Sequence, residues 1–234
     1  MKKSIGILGG MGPLATADLF RKIVRMTEAS CDNDHIRIYI DDNSSIPDRT
    51  AAILSGGPSP LPNMTDSLHK LEQCGADCII MPCNTAHYFL PQLQALTKVP
   101  MISMLEATAK ACAAAHPGKT AAILATKGTL AAKLYDAALE KENVPYLIPN
   151  AQEQDALMRV IYDGVKAGAA PDAYRKDMAF VLDGLTARGA DYFILGCTEL
   201  PLAAEALQLT QPTIDPTAEL AKAAITFCGY HWKA

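Results

Sequence analysis

"GADCIIMPCNTAHYFLP" occupies residues 75–91, and "GADYFILGCTELPLA" occupies residues 189–203. Each opens on Gly-Ala-Asp, continues as an apolar run and closes on a cysteine. Cys83 stands eight positions after Gly75, and Cys197 stands eight after Gly189. A continuous apolar run bounded by turn residues reads as a strand buried on both faces, as in parallel sheets. Each cysteine then sits at the carboxyl end of a strand, where open parallel sheets gather their functional groups. The next residues, Asn84-Thr85 in one case and Thr198-Glu199 in the other, read as helix N-caps.

The repetition extends beyond the two cysteines. "GILGGMGP" (6–13) aligns with "AILATKGT" (122–129) at an offset of 116, and Gly75–Cys83 aligns with Gly189–Cys197 at 114. "VPMISMLEATAKA" (99–111) aligns with "QPTIDPTAELAKA" (211–223) at 112. A self-similarity of half the chain length predicts two similar units and not a solenoid of short repeats. Eight β-rich runs alternate with helical stretches: "SIGILGG", "HIRIYID", "DCIIMPC", "VPMISM", "TAAILAT", "VPYLIPN", "DYFILGC" and "PTIDP". The helical patterns include "PLATADLFRKIVRMTEA", "TLAAKLYDAALEKENV" and "QDALMRVIYDGVKAG". The expected fold is α/β: two similar parallel-sheet domains related by a pseudo-twofold, with the site in the cleft between them.

The 234 residues are half hydrophobic and 20% charged, an ordinary globular composition. A net charge of −4 leaves no basic footprint, so no nucleic-acid partner is expected. No apolar run reaches the roughly 18 residues of a membrane span. The start, "MKKSIGILGGMGPLATA", mimics a signal peptide loosely. Its apolar part is short and broken by Gly9, Gly10, Gly12 and Pro13, so it reads as a first strand. Those glycines suit a tight turn and close backbone approach. Seven cysteines, odd in number and without framework spacing, predict reduced thiols in a cytoplasmic protein. Cys74 and Cys78 are spaced C-x-x-x-C with no partners for zinc. Cys31, Cys74, Cys78, Cys112 and Cys228 are expected to be small buried or semi-buried hydrophobes.

Two strand-end thiols approaching one ligand from opposite sides suit inversion at a carbon that bears hydrogen. One thiolate takes the α-proton and the other thiol returns one, general acid–base catalysis worth roughly 10²–10⁴-fold. Helix starts beside the sulfurs would stabilise a thiolate and hold a substrate carboxylate.

The chain resembles the aspartate/glutamate racemase family, the cofactor-independent amino-acid racemases, through "GILGGMGP", "SIPDRT", "MPCNTAH", "YDGVKAG" and "LGCTELP". The resemblance implies two domains, 1–101 with a returning C-terminal segment 213–234, and 102–212. It implies catalytic Cys83 and Cys197, the first serving as base for the D enantiomer and the second for the L. It also implies that Arg49 and Lys166 contact substrate carboxylates, and that Met11, Asn84, Thr85, Thr126 and Thr198 line the cleft. No cofactor or metal is implied, and relatives of this kind are often homodimers. Glu199 either caps its helix or orients Cys197. His87, one turn beyond Cys83, reads as a hydrogen-bonded structural histidine or a proton relay.

Other readings stay open. Gly10-Met11-Gly12-Pro13-Leu14-Ala15 fits G-x-G-x-x-A, the fingerprint of a dinucleotide-binding oxidoreductase. Asp41, 29 positions after Gly12, is far for the ribose acid, and that reading leaves the second cysteine unexplained. A maleate isomerase, hydantoin racemase or arylmalonate decarboxylase would use a comparable scaffold, although the last keeps one thiol. A dicarboxylate-binding sensor with redox-active thiols is the non-enzymatic alternative.

Overall fold

The computed structural model describes residues 2–233. The chain divides into two compact units, Met1–Ala107 with Thr217–Ala234, and Thr108–Pro216. Both divisions fall a few residues beyond the boundaries expected from the sequence. The chain runs through β1 (Ile5–Gly9), α1 (Pro13–Met26), β2 (Ile38–Asp42), α2 (Arg49–Leu54), α3 (Leu61–Gln73) and β3 (Cys78–Ile80). A 3₁₀ turn (Thr85–Phe89), α4 (Leu90–Gln94) and α5 (Met104–Ala115) come next. The second unit carries β4 (Ala121–Ala125), α6 (Lys127–Ala131), α7 (Asp136–Lys141), β5 (Tyr146–Leu147) and α8 (Ala151–Arg159). It continues through a π-helical segment (Val160–Lys166), α9 (Arg175–Ala187), β6 (Tyr192–Gly196), α10 (Leu200–Leu207) and β7 (Thr213–Ile214). Finally α11 (Pro216–Phe227) returns the chain to the first unit.

Each unit holds one parallel sheet, ordered β2-β1-β3 in the first and β5-β4-β6-β7 in the second. The sequence repeat reappears as strand register. Ile5 pairs with Cys78 in the first sheet, and Ala121 pairs with Tyr192 in the second. These are the same two repeat positions, 116 and 114 residues on. "VPMISM", expected as a strand, forms only the bridge Ile79↔Met101. That bridge is the repeat equivalent of Phe193↔Thr213, which β7 extends into a two-residue strand.

The Gly-Ala-Asp triplets explain what fixes this register. Gly75 and Gly189 have φ of +85° and +98°, turning the chain from helix into strand. Asp77 Oδ2 then accepts from the Ser4 backbone N–H at 2.8 Å, and Asp191 Oδ2 accepts from the Thr120 N–H at 2.8 Å. In each unit the carboxylate before one strand clamps the backbone before its neighbour.

Period-2 alternation sorts the first sheet's side chains onto two faces. Ile5, Ile7, Cys78 and Ile80 pack with Leu19 and Ile23 of α1 and with Leu220, Ala221, Ala224 and Ile225 of α11. Leu8, Ile79 and Met81 pack with Met64, Leu68 and Leu71 of α3. In the second unit Ala122, Leu124, Phe193 and Leu195 meet α8, the π-helical segment and α9.

Three local expectations are corrected. "TLAAKLYDAALEKENV" is not one helix: α6 and α7 are separated at Lys133, whose φ is +51°. The pattern in "QDALMRVIYDGVKAG" continues past α8 as a π-helical turn. Cys31 and Cys74 are exposed, because they fall at the ends of helical turns and not within a packed face.

At the tip of β1, Gly10 has φ +86° and its N–H donates to Thr16 Oγ1 at 2.9 Å. A Cβ on Gly10 would lie 2.2 Å from the Asn43 carbonyl carbon, whereas one on Gly56, at φ +63°, would meet nothing within 4 Å. Both substitutions to Ala strain the backbone, but only the first adds a backbone collision. Urea denaturation should therefore show Gly10→Ala destabilising the protein by at least about 2 kcal/mol more than Gly56→Ala.

Candidate active site

Two clusters of the expected residues form at strand ends, one within each unit. In the first, Cys83 comes after β3 and is buried, with Asn84 and Thr85 also buried beside it. Asn84 occupies the N-cap position of the 3₁₀ turn, yet its side chain makes no cap bond. Its own φ/ψ of −60°/−49° is already helical, which turns the amide away from the cap geometry expected of it. His87 closes the turn: Met104 N–H donates to Nε2 at 3.0 Å, so Nδ1 carries the proton and donates to the Cys83 carbonyl at 2.9 Å. Both nitrogens are thus committed to backbone, as a structural histidine requires. Burial lowers the His87 pKa to about 4.

Arg49, the first residue of α2, bridges two loops of the same unit. Its Nη2 donates to the Met11 carbonyl at 2.9 Å, and its Nη1 donates to Pro47 at 3.0 Å and Ile46 at 3.3 Å. Asp48 caps α2 by accepting from Ala51 N–H at 2.7 Å. Arg49 and Met11 are therefore joined, and Arg49 also has a structural task.

In the second unit Thr126 comes after β4 and caps α6, accepting from Thr129 N–H at 3.3 Å. Cys197 comes after β6 and donates its thiol hydrogen to Glu199 Oε2 at 2.9 Å. Glu199 also ion-pairs with Lys166, the last residue of the π-helical segment. Thr198 Oγ1 lies 3.5 Å from the same carboxylate. Glu199 stands at the N-cap position of α10 but makes no cap bond, because its carboxylate is engaged by Cys197 and Lys166. Glu199 orients the cysteine.

The expected easing of thiol ionisation is overturned at Cys197. Burial, then the adjacent Glu199 charge, hold its pKa well above the usual thiol value, with Lys166 opposing. Cys197 rests as a thiol hydrogen-bonded to a carboxylate, a proton donor at rest. Among the described residues, no group of three or more His, Cys, Asp and Glu side chains is placed to hold a metal ion. No helix of the described residues is long and apolar enough to cross a membrane.

The family model described as Asp/Glu/Hydantoin racemase matches residues 8–224. This chain belongs to that racemase family. Its homologues are named racemases, and the chain is accordingly an isomerase. It is 32% identical to the broad specificity amino-acid racemase RacX of Bacillus subtilis (strain 168), over 97% of this chain and 99% of that one. The solved Picrophilus torridus aspartate racemase is 30% identical with a TM-score of 0.85, covering 99% of this chain and 96% of its own. An aspartate racemase homologue from Pyrococcus horikoshii OT3 is 26% identical with a TM-score of 0.76, covering 98% and 100%. Membership in the racemase family displaces the dinucleotide-binding reading of the Gly10–Ala15 stretch.

The second unit of this racemase-family chain also holds buried polar residues the motifs did not reveal. Gln154 is buried and its Nε2 donates to the Ala125 carbonyl at 2.9 Å, just before Thr126, leaving its buried Oε1 without a hydrogen bond. Tyr135 is fully buried in the same unit, and burial pushes its hydroxyl well above the usual phenol range. Reading residues 129–144 as one helix hid Tyr135, which the break at Lys133 turns inward.

His87 supplies a pH signature. Its folded pKa of about 4 lies below the unfolded value of 6.5, so the unfolded chain binds more protons between those limits. Its contribution is complete above pH 6.5 and is lost as pH falls toward 4, about 3 kcal/mol in total. Denaturation series should show a steeper loss across this window for the native protein than for His87→Gln.

Proposed function

We propose that the protein is a cofactor-independent racemase interconverting L- and D-aspartate, L- and D-glutamate, or both, with Cys83 and Cys197 as acid/base thiols on opposite faces of the α-carbon. The observation that carries this reading is the shared register: each cysteine lies five residues beyond the strand position paired across its sheet, Cys78 in one and Tyr192 in the other. Equivalent sites on two equivalent units suit two equivalent proton transfers. The family and the aspartate racemase neighbour supply the substrate class.

In this mechanism Arg49 and Lys166 hold substrate carboxylates, an arginine being suited to bidentate contact. Met11, Asn84, Thr85, Thr126 and Thr198 contact the rest of the substrate. For a D substrate, Cys83 removes the α-proton. Its C–H bonding electrons pass toward the substrate carboxylate, and Cys197 delivers the proton it already carries. An L substrate meets the form with Cys83 as thiol: Cys197 cedes its proton to Glu199 and accepts the α-proton, Cys83 protonates the opposite face, and the proton on Glu199 returns through solvent to the Cys83 thiolate. A homodimer in a reducing cytoplasm completes the reading. The first is suggested by the family resemblance, the second by an odd number of unframed cysteines.

Racemisation assayed by chiral chromatography, with no metal or pyridoxal phosphate added, should fall by at least about 10³-fold in Cys83→Ala and in Cys197→Ala. In heavy water, Cys197→Ala should exchange the α-hydrogen of the D enantiomer only and Cys83→Ala that of the L only. Near-native turnover in either variant ends the two-thiol mechanism. A panel of other amino acids tests a second reading, the broad specificity named for the 32% identical relative.

Glu199→Gln removes both the acceptor for the Cys197 proton and the charge that raises its pKa. The catalytic efficiency kcat/KM should fall about tenfold or more. The loss should be equal in both directions, because racemisation has an equilibrium constant of one. Thiolate absorbance should place the Cys197 titration lower than in the native protein. An unchanged titration would remove Glu199 from this role.

A further inference from the structure

A cavity of about 300 Å³ lies within the second unit, and none of the candidate site residues lines it. That volume falls in the range that holds a small ligand. Much of its wall is apolar: Ile123 of β4, Leu130 of α6 and Leu147 of the edge strand β5, with Ile148 beyond it 47% exposed. Two opposite charges join them. Lys133 and Asp136 both line the cavity three positions apart, and neither is in an ion pair with any described residue. A third charge, Arg188, is already met, because it ion-pairs with Glu153 and donates to the Ile148 carbonyl at 3.1 and 3.2 Å.

The backbone singles out Lys133. α6 closes in a left-handed cap: Lys133 N–H donates to the Leu130 carbonyl at 3.0 Å, and Leu134 N–H donates to the Thr129 carbonyl at 3.2 Å. The left-handed position of such a cap usually holds glycine or asparagine, yet here a lysine takes it at φ +51°. The next helix, α7, closes by the same pair of bonds on Asn143, φ +55°. Packing gives no reason for the lysine, since Lys133 is exposed. The cavity does.

An apolar wall flanked by one cation and one anion complements a zwitterion with a hydrocarbon side chain. A free apolar amino acid has that chemistry: a carboxylate for Lys133, an ammonium for Asp136 and a side chain for Ile123, Leu130 and Leu147. An apolar acid would leave the Asp136 charge unmatched, and an apolar amine would leave that of Lys133. Thr129 also lines the cavity, and its Oγ1 lies 3.1 Å from Oγ1 of Thr126, the cap of α6. A ligand against Thr129 is one hydrogen bond from a residue assigned to substrate.

We propose that this cavity is a second ligand site, for a free apolar amino acid, whose occupancy is felt at Thr126. The site stands on the cavity, whereas its effect on catalysis rests on the racemase reading.

Isothermal titration calorimetry of the full chain with L-phenylalanine should show one saturable site, with Kd on the order of 1 mM or tighter. 3-Phenylpropanoate, which lacks the ammonium, and phenethylamine, which lacks the carboxylate, should each bind more weakly by about fivefold or more. Lys133→Gly should weaken phenylalanine by the same factor yet melt no lower than the native protein, because glycine suits the left-handed position. Asp136→Asn should give the matching loss at the other pole. Saturating phenylalanine should shift the KM for aspartate about twofold or more in the native protein and leave it unchanged in Lys133→Gly. The absence of saturable heat overturns the proposal. So does binding that both variants leave untouched, which places phenylalanine elsewhere. Either analogue binding as tightly as phenylalanine overturns the amino-acid assignment, and an unchanged KM overturns the link to Thr126. A chain that binds phenylalanine in this pattern but racemises neither aspartate nor glutamate supports the site and overturns the racemase reading.

Discussion

The alignment of each central strand pair is the constraint on which the candidate site depends. A slip of one residue in a strand exchanges its buried faces and moves its end by about 3.3 Å. Apolar burial on both faces penalises such a slip, but it cannot choose among registers two residues apart. Asp77 and Asp191 make that choice. Each accepts a 2.8 Å hydrogen bond from the backbone before the neighbouring strand, fixing the starting line from which the strand is counted. The Asp77 carboxyl is held below its ordinary pKa by the Ser4 N–H, and the Asp191 carboxyl by the Thr120 N–H, so both clamps are anionic at neutral pH. Six residues further on in each case stands a cysteine.

Identical strand positions do not make the two cysteines chemically identical. Cys83 leads into a 3₁₀ turn closed by a histidine that spends both ring nitrogens on backbone. That arrangement fixes geometry and brings no ionic charge to the sulfur, because burial keeps the ring neutral. Cys197 instead has a carboxylate at hydrogen-bond distance, itself balanced by a lysine. The first neighbour tunes position and the second tunes proton affinity. A sequence comparison that aligned the two halves could find the common sulfurs and still miss this difference, which arises from the residues that do not repeat.

Much of this architecture was legible in the chain because it rests on periodicity and repetition. The offsets of 116 and 114 reappear as paired registers, and the Gly9–Gly12 turn does require glycine where Asn43 approaches. Less legible were features set by competition among local choices. "VPMISM" has strand composition, but only Met101 finds a ladder partner, so the repeat equivalent of β7 shrinks to a bridge. Asn84 and Glu199 are good capping residues by type. One is already in helical backbone conformation and the other has stronger partners, so neither caps. Lys133 breaks a helix that its neighbours' propensities favour, and a single left-handed residue gives no compositional signal. Gln154 reaches the carbonyl before Thr126 through tertiary packing alone.

The π-helical segment shows how backbone geometry reaches the electrostatics of the site. A buried carboxylate such as Glu199 costs several kcal/mol to desolvate unless a cation meets it in good geometry. Lys166 provides that cation from the last position of Val160–Lys166. A π turn holds about one residue more than an α turn, which rotates everything after it by about 100°. Had α8 continued as an α-helix, Lys166 would project from a different side and Glu199 would be left buried with the Cys197 thiol. Gly164 fits the same requirement, since a Cβ there would come 2.7 Å from the Tyr174 ring that packs against the segment. The motif "YDGVKAG" therefore reads as one device: a glycine that admits the tyrosine, a widened turn, and a lysine delivered to the carboxylate that sets the proton affinity of Cys197.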